Sequence, residues 1–249
     1  MSVALARVYT FTHTKVGRFT VILGAFLLLV ISLMAAYKLN NDGDTVNDVS
    51  QLFAGANSFA IFVVGMGMMI FQSSEYGSGG MPYMLMRVPD RKSIAKANLA
   101  AIVTIAIGFA SVVNVVVATL TLTLLYFKGT LQTLNYSYGT AILMIVGIPA
   151  AYFIVGTIAF SIGDIAQGTA AGVVLYSFVY WLIPLAGALI TSIHSSLGSA
   201  LVNISLAANV EKLLAANGTE FIGSLVAIGA WAGALYIVGF LRFRGYTPR

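Results

Sequence analysis

The sequence predicts an all-α integral membrane protein with six transmembrane helices. Three observations carry this reading. Of 249 residues, 59% are hydrophobic and 8% charged, and the mean hydropathy is +0.93; a soluble domain carries about 25% charged residues. Six apolar stretches each approach or exceed the ~20 residues that cross a bilayer core. None of the six contains Asp, Glu, Lys, Arg or His, and the cations gather at their ends. Residues 1–249 are therefore read as a single transmembrane domain.

In chain order, Met1 to Arg18 carries Arg7, Lys15 and Arg18 without an acid. Val3, Leu5, Val8 and Phe11 form the apolar side of an interfacial helix. No small-residue cleavage site follows, so a cleavable signal peptide does not fit. The spans are read as 19–37, 52–71, 97–127, 139–162, 169–191 and 221–241; the third is long enough to tilt or project beyond the lipid. The segment Lys38 to Gln51 is a short acidic connector. Gly163 to Gly168 is a tight turn in which Asp164 is read as a cap for the next helix. Ser192 to Glu220 is too long for a turn and too polar to span. Its residues Ile193, Leu197, Leu201, Leu206, Val210, Leu213 and Leu214 recur at near-helical spacing, with Gly218 as a C-cap, which predicts short helices at the outer interface.

Loop charge sets the predicted orientation. With the N-terminus in the cytoplasm, Arg7, Lys15, Arg18, Arg87, Arg91, Lys92, Lys96, Arg242, Arg244 and Arg249 lie inside, against Lys38, Lys128 and Lys212 outside. Cytoplasmic loops are enriched in Lys and Arg, so both termini are expected on that side.

The stretch between spans two and three, Glu75 to Lys96, is the most informative. It passes through Gly77, Gly79 and Gly80 and holds a short piece between Pro82 and Pro89, followed by Arg91, Lys92 and Lys96. Pro82 suits a first helical turn, and Pro89 disfavours helix at Val88. Met81, Met84, Leu85 and Val88 are spaced i, i+3, i+4 and i+7, one apolar stripe of a short amphipathic helix. The simplest account of such a basic loop is that it faces lipid headgroups. The order Glu75-Tyr76-x-x-Gly79-x-Met81-x-x-x-Leu85-x-x-x-Pro89-x-Arg91, however, resembles the first cytoplasmic loop of ABC-2-type exporter permeases, with Lys96 similar to the lysine that opens the family's next span. Gly163, Thr169-Ala170-Ala171 and Pro184 also resemble the family's second loop and fifth span, although Gln167 stands where the family has a base. The basic end at Arg242 and Arg244 fits too.

The resemblance implies a coupling helix resting on a separate nucleotide-binding ATPase subunit. Glu75, Gly79, Met81, Met84, Leu85, Pro89 and Arg91 would be the ATPase-coupling residues. It further implies a second permease copy or a paralogue to enclose the route, and export of a drug, an antimicrobial peptide or a lipid-like molecule, with ATP–Mg in the partner and no cofactor in this chain. A bacterial cell membrane is the expected location.

The residues themselves exclude several alternatives. The absence of Cys removes disulfides, thiolate metal sites and cysteine nucleophiles, and His13 and His194 are far apart in sequence. The run Gly77-Ser78-Gly79-Gly80 lacks the Lys-Ser/Thr of a phosphate loop, so the chain is not expected to hydrolyse ATP alone. The net charge of +5 is spent at span ends rather than on nucleic acid. Ion-coupled carriers place ionisable groups within their spans, and here the apolar runs hold none, which disfavours secondary transport; a sodium site built from backbone carbonyls and hydroxyls stays open, since Ser, Thr and Asn occur in the spans. An accessory or structural membrane protein is the alternative reading.

Overall fold

The computed structural model describes residues 3–38, 49–88, 90–127, 138–215 and 218–247. Its elements are α1 (Val3–His13), α2 (Lys15–Lys38), α3 (Val49–Gly77), α4 (Gly80–Arg87), α5 (Arg91–Phe127) and α6 (Tyr138–Ala166). They are followed by α7 (Thr169–Ser177), α8 (Ile183–Thr191), α9 (Ser195–Ile204), α10 (Leu206–Leu214) and α11 (Gly218–Arg244). No strand occurs among the described residues. Among the described residues, six helical stretches are long and apolar enough to cross a membrane: Lys15–Met34, Ala54–Gly77, Arg91–Phe127, Ile142–Ala166, Thr169–Thr191 and Glu220–Arg244. The chain is a multi-pass membrane protein, because only a helix satisfies its own backbone polar groups inside lipid.

The fifth span is not one regular helix. α7 passes into a π-helical segment, Phe178–Leu182, which passes into α8, with Pro184 in the first turn of α8. Proline offers no N–H and clashes with the preceding turn, and the wider π turn takes up that misfit. Tyr176, just before this segment, and Tyr180, within it, lie in the core and donate to the carbonyls of Phe62 and Ser58 at 3.3 and 3.1 Å.

α3 is the central helix, packed by α2, α6, α7 and α10. Ile61, Val64, Met68 and Met69 of α3 are buried with Ile102 and Phe109 of α5, Tyr152 of α6 and Leu28 of α2. α9 folds back along α8. α10 turns Leu206, Val210, Leu213 and Leu214 fully inward against the bundle, while Ile193 and Leu197 stay exposed. Asn209 stitches the α9–α10 turn by donating to the Asn203 and Ser205 carbonyls at 2.6 and 2.8 Å. Gly218 opens α11 instead of closing α10, contrary to its expected capping role.

Thr14 breaks the chain between α1 and α2 and caps α2, accepting from the Gly17 N–H at 3.1 Å. The Gly17 backbone lies so close to the Phe11 carbonyl that a Cβ there would overlap it. This close turn lays α1 against α5 and α2 at the end of the bundle that also holds α4 and the C-terminal turn of α11. Most of the connector 38–51 lies outside the described residues.

Candidate functional site

The helices run further than the apolar stretches that announce them. α3 continues through Glu75 and Tyr76, and α5 begins at Arg91, so the polar stretch 75–96 is mostly helix. The chain turns at Ser78–Gly79, and α4 ends at Arg87 before α5 begins at Arg91. Gly79 has φ +77°, a left-handed conformation that costs a residue with a Cβ and is free for glycine. That conformation turns the chain sharply from α3 into α4.

α4 then presents two faces. Met81 is fully buried in a cluster with Tyr76, Ile94 and Phe243, and Met84, Leu85 and Val88 pack against the same cluster beside Phe240 and Tyr246. The apolar stripe therefore faces the chain's own α3, α5 and α11. The opposite face carries Tyr83, Met86 and Arg87, all exposed, with Met86 at 75%. The Arg87 guanidinium lies over the Tyr83 ring, 4.6 Å from its centre, and so stiffens this face. An open groove of about 680 Å³ runs beside α4, lined by Gly79, Pro82, Gln167, Arg242 and Tyr246 among others.

Arg91 also turns to its own chain. Its guanidinium donates to the carbonyls of Phe243, Arg244 and Tyr246 at 2.6, 2.9 and 2.8 Å. Helix C-termini leave carbonyls without partners, and a cation there satisfies them and opposes the negative end of the helix dipole. Arg91 thus fastens the start of α5 to the end of α11, the two elements whose Ile94 and Phe243 pack against the α4 stripe. Asp90 caps α5: its carboxylate accepts from the Lys92 and Ser93 N–H groups at 3.1 and 3.2 Å and from the Ser93 hydroxyl at 2.6 Å. The Ser93 hydroxyl, with the backbone N–H groups, holds the Asp90 carboxyl below its usual range. Pro89 lies outside the described residues.

Glu75 belongs to a second arrangement, centred on Arg7. This arginine is only 4% exposed. Its Nε donates to Asn98 Oδ1 at 2.9 Å, one terminal nitrogen donates to Gln72 Oε1 at 2.9 Å, and the other lies 3.5 Å from Glu75 Oε2. Gln72 Nε2 and the Tyr76 hydroxyl both donate to Asp164 Oδ1, the latter at 2.6 Å. Burial lowers the Arg7 pKa, and Glu75 and Asp164 oppose that shift. One guanidinium fork thereby joins α1, α3 and α5, and α6 is joined through Gln72 and Asp164.

Of the residues singled out from sequence, Met81, Met84 and Leu85 come together in one cluster. Arg91 sits at the rim of that cluster, Glu75 in the Arg7 network, and Gly79 at the turn. Asp164 does not cap α7, whose N-cap is Gly168 and carries no side-chain bond; it serves the network instead. Sequence reasoning passed over Arg7, Gln72 and Asn98. Arg7 had a visible signal, since it shares one helix face with Val3 and Phe11 at i−4 and i+4. A cation in that stripe must find a buried partner. No protein-family model matches the chain, and no curated protein matches it.

Proposed function

We propose that the chain is the permease subunit of an ATP-driven exporter of the ABC-2 type. Hydrolysis of ATP–Mg takes place in a separate nucleotide-binding subunit. A second copy or a paralogue completes the route, and both termini face the cytoplasm of a bacterial cell. The observation that carries this reading is α4. It is a short helix fixed rigidly under the bundle between two spans, with an exposed face of Tyr83, Met86 and Arg87 beside an open groove. A lever of this kind transmits force only if it is held to the bundle, and the packing of Met81 against Tyr76, Ile94 and Phe243 supports that role. The partner would meet Tyr83, Met86 and Arg87, since Met84 and Leu85 are already occupied. Aromatic and arginine side chains are the usual anchors of such contacts.

Cargo is apolar or amphiphilic, as befits the spans. Across the described midsections the bundle offers Phe59, Phe62 and Trp181, rings packed at 5.7 to 5.8 Å around the π segment, with Phe59 and Trp181 partly exposed. Export relevant to multidrug or peptide resistance would use such a wall.

The alternative, an accessory membrane protein without its own route, draws on one observation. The stripe of α4 and the guanidinium of Arg91 are both spent on the chain's own packing, as a purely structural hairpin would spend them. Vesicles decide between the two. Chain reconstituted with its nucleotide-binding subunit should move a fluorescent amphiphile in an ATP-dependent manner. Equal movement with and without the chain would favour the accessory role.

A further inference from the structure

The open groove of about 680 Å³ beside α4 lies where spans end. Gly77 closes the second span, Gln167 follows the fourth, and Leu241 and Arg242 stand in the last turn of the sixth; all four residues line the groove. Spans leave the hydrocarbon at their ends, so the groove sits at the level of the lipid headgroups.

Most polar groups nearby are already engaged. The Tyr76 hydroxyl donates to Asp164 Oδ1 at 2.6 Å, and its ring meets that of Tyr246 edge-on at 5.1 Å. Arg7 and Arg91 donate to the chain's own acceptors, and Arg87 lies over Tyr83. Arg242 differs from these three. It is exposed, and among the described residues its guanidinium has no hydrogen bond, ion pair or ring contact. It is also the one charged residue among those lining the groove, since neither carboxylate of the Arg7 network borders it. Gln167, on the groove wall, has φ +50°, a left-handed conformation that residues with a Cβ seldom adopt. Backbone outliers of this kind cluster at ligand clamps.

The chemistry narrows the ligand. A guanidinium presents its N–H groups as a fork that matches the oxygens of a phosphate. One unpaired guanidinium balances the single negative charge of a phospholipid's phosphodiester, whereas a phosphate monoester carries about 1.5 to 2. Leading up to Arg242 on α11, Ile237, Val238 and Leu241 are 59%, 51% and 59% exposed. This apolar track runs from the groove along the span, as an acyl chain would, and a soluble phosphate has no use for it. A groove of this volume also has room for a headgroup and its glycerol.

We infer that the groove binds one phospholipid, with the phosphodiester on the Arg242 guanidinium and an acyl chain along Ile237, Val238 and Leu241. The bound headgroup touches the end of α3, Pro82 of α4, the turn after α6 and the end of α11, and so braces α4 against the bundle. The site is independent of any nucleotide-binding subunit.

The test is thermal unfolding of the full chain in an uncharged detergent at constant ionic strength, titrated with phosphatidylglycerol or with diacylglycerol of the same acyl chains. Phosphatidylglycerol should raise the midpoint saturably and diacylglycerol should not. Arg242→Ala should raise the half-saturating phosphatidylglycerol concentration several-fold. Lys92→Ala, which removes another exposed cation at this end, should leave it unchanged. The inference is overturned if wild type does not distinguish the two lipids, or if Arg242→Ala responds like wild type. Equal losses in Arg242→Ala and Lys92→Ala would mean diffuse attraction to a basic surface and would also overturn it. If inorganic phosphate alone gives the same saturable rise, the site takes free phosphate and the lipid assignment falls. Should Arg242→Ala not fold, native mass spectrometry of wild type decides: one phosphatidylglycerol retained per chain supports the site, and none rejects it.

Discussion

Met86 and Met81 stand five residues apart on α4 and should fail in opposite ways. Met81 is fully buried against Tyr76, Ile94 and Phe243. Met81→Ala should therefore lower the stability of the chain by about 2–5 kcal/mol, the usual range for a buried Met→Ala change. Met86 is 75% exposed, and a surface substitution there should stay within about 0.5 kcal/mol of wild type in the isolated chain. If Met86 sits in a desolvated contact with an ATPase, Met86→Asp should weaken that contact by about 2–4 kcal/mol, roughly 30- to 900-fold in affinity. Two assays separate the effects: the unfolding midpoint of the purified chain, and co-purification with a defined nucleotide-binding subunit. Met86→Asp should unfold like wild type and lose the partner. The reasoning is refuted if Met86→Asp retains the partner at wild-type affinity, or if Met81→Ala loses it with an unchanged midpoint.

Other expectations follow from the same end of the bundle. Arg7→Met strands Glu75 and Asp164 and should cost about 3–5 kcal/mol, read by denaturant unfolding in detergent; Arg7→Met with Glu75→Gln should recover part of it in a double-mutant cycle. Asp90, whose folded pKa is depressed, caps α5 while ionised, and the cap is lost as pH falls through that folded value. Hydrogen exchange at the Lys92 and Ser93 amides should then accelerate on acidification relative to Asp90→Asn, which keeps a cap without the charge; identical profiles would reject the assignment. For topology, the chain has no native Cys, so single cysteines report cleanly. Ser78→Cys should label only from the cytoplasmic side and Ser196→Cys only from outside, and the reverse pattern would invert the orientation.

The spans were legible because a run of some twenty apolar residues has few destinations other than lipid. Their ends were not. A helix satisfies its backbone whatever its side chains are, so α3 carries on past Phe71 to Gly77 and α5 starts at Arg91, six residues before the apolar run. This extension moves Glu75 and Asp164 from loops onto spanning helices and qualifies the argument that the spans lack ionisable groups. Periodicity showed that Met81, Met84 and Leu85 share a face, but it cannot say what that face meets; a stripe built for a partner and one built for α11 look alike. Arg7 was counted among flanking cations because charge tallies ignore helix phase. Its partners Gln72 and Asn98 lie 65 and 91 residues away, and only the tertiary fold brings them together.

The central claim is that this chain supplies the route and another subunit the energy. ATP turnover in defined vesicles tests it most directly, with the purified chain alone, the nucleotide-binding subunit alone, and the two together. The account predicts no turnover by the chain alone, and turnover by the assembled pair that rises when an amphiphilic cargo is added and returns to the level of the subunit alone when the chain carries Met86→Asp. Robust hydrolysis by the chain alone, or turnover of the pair no different from that of the subunit alone, would contradict it.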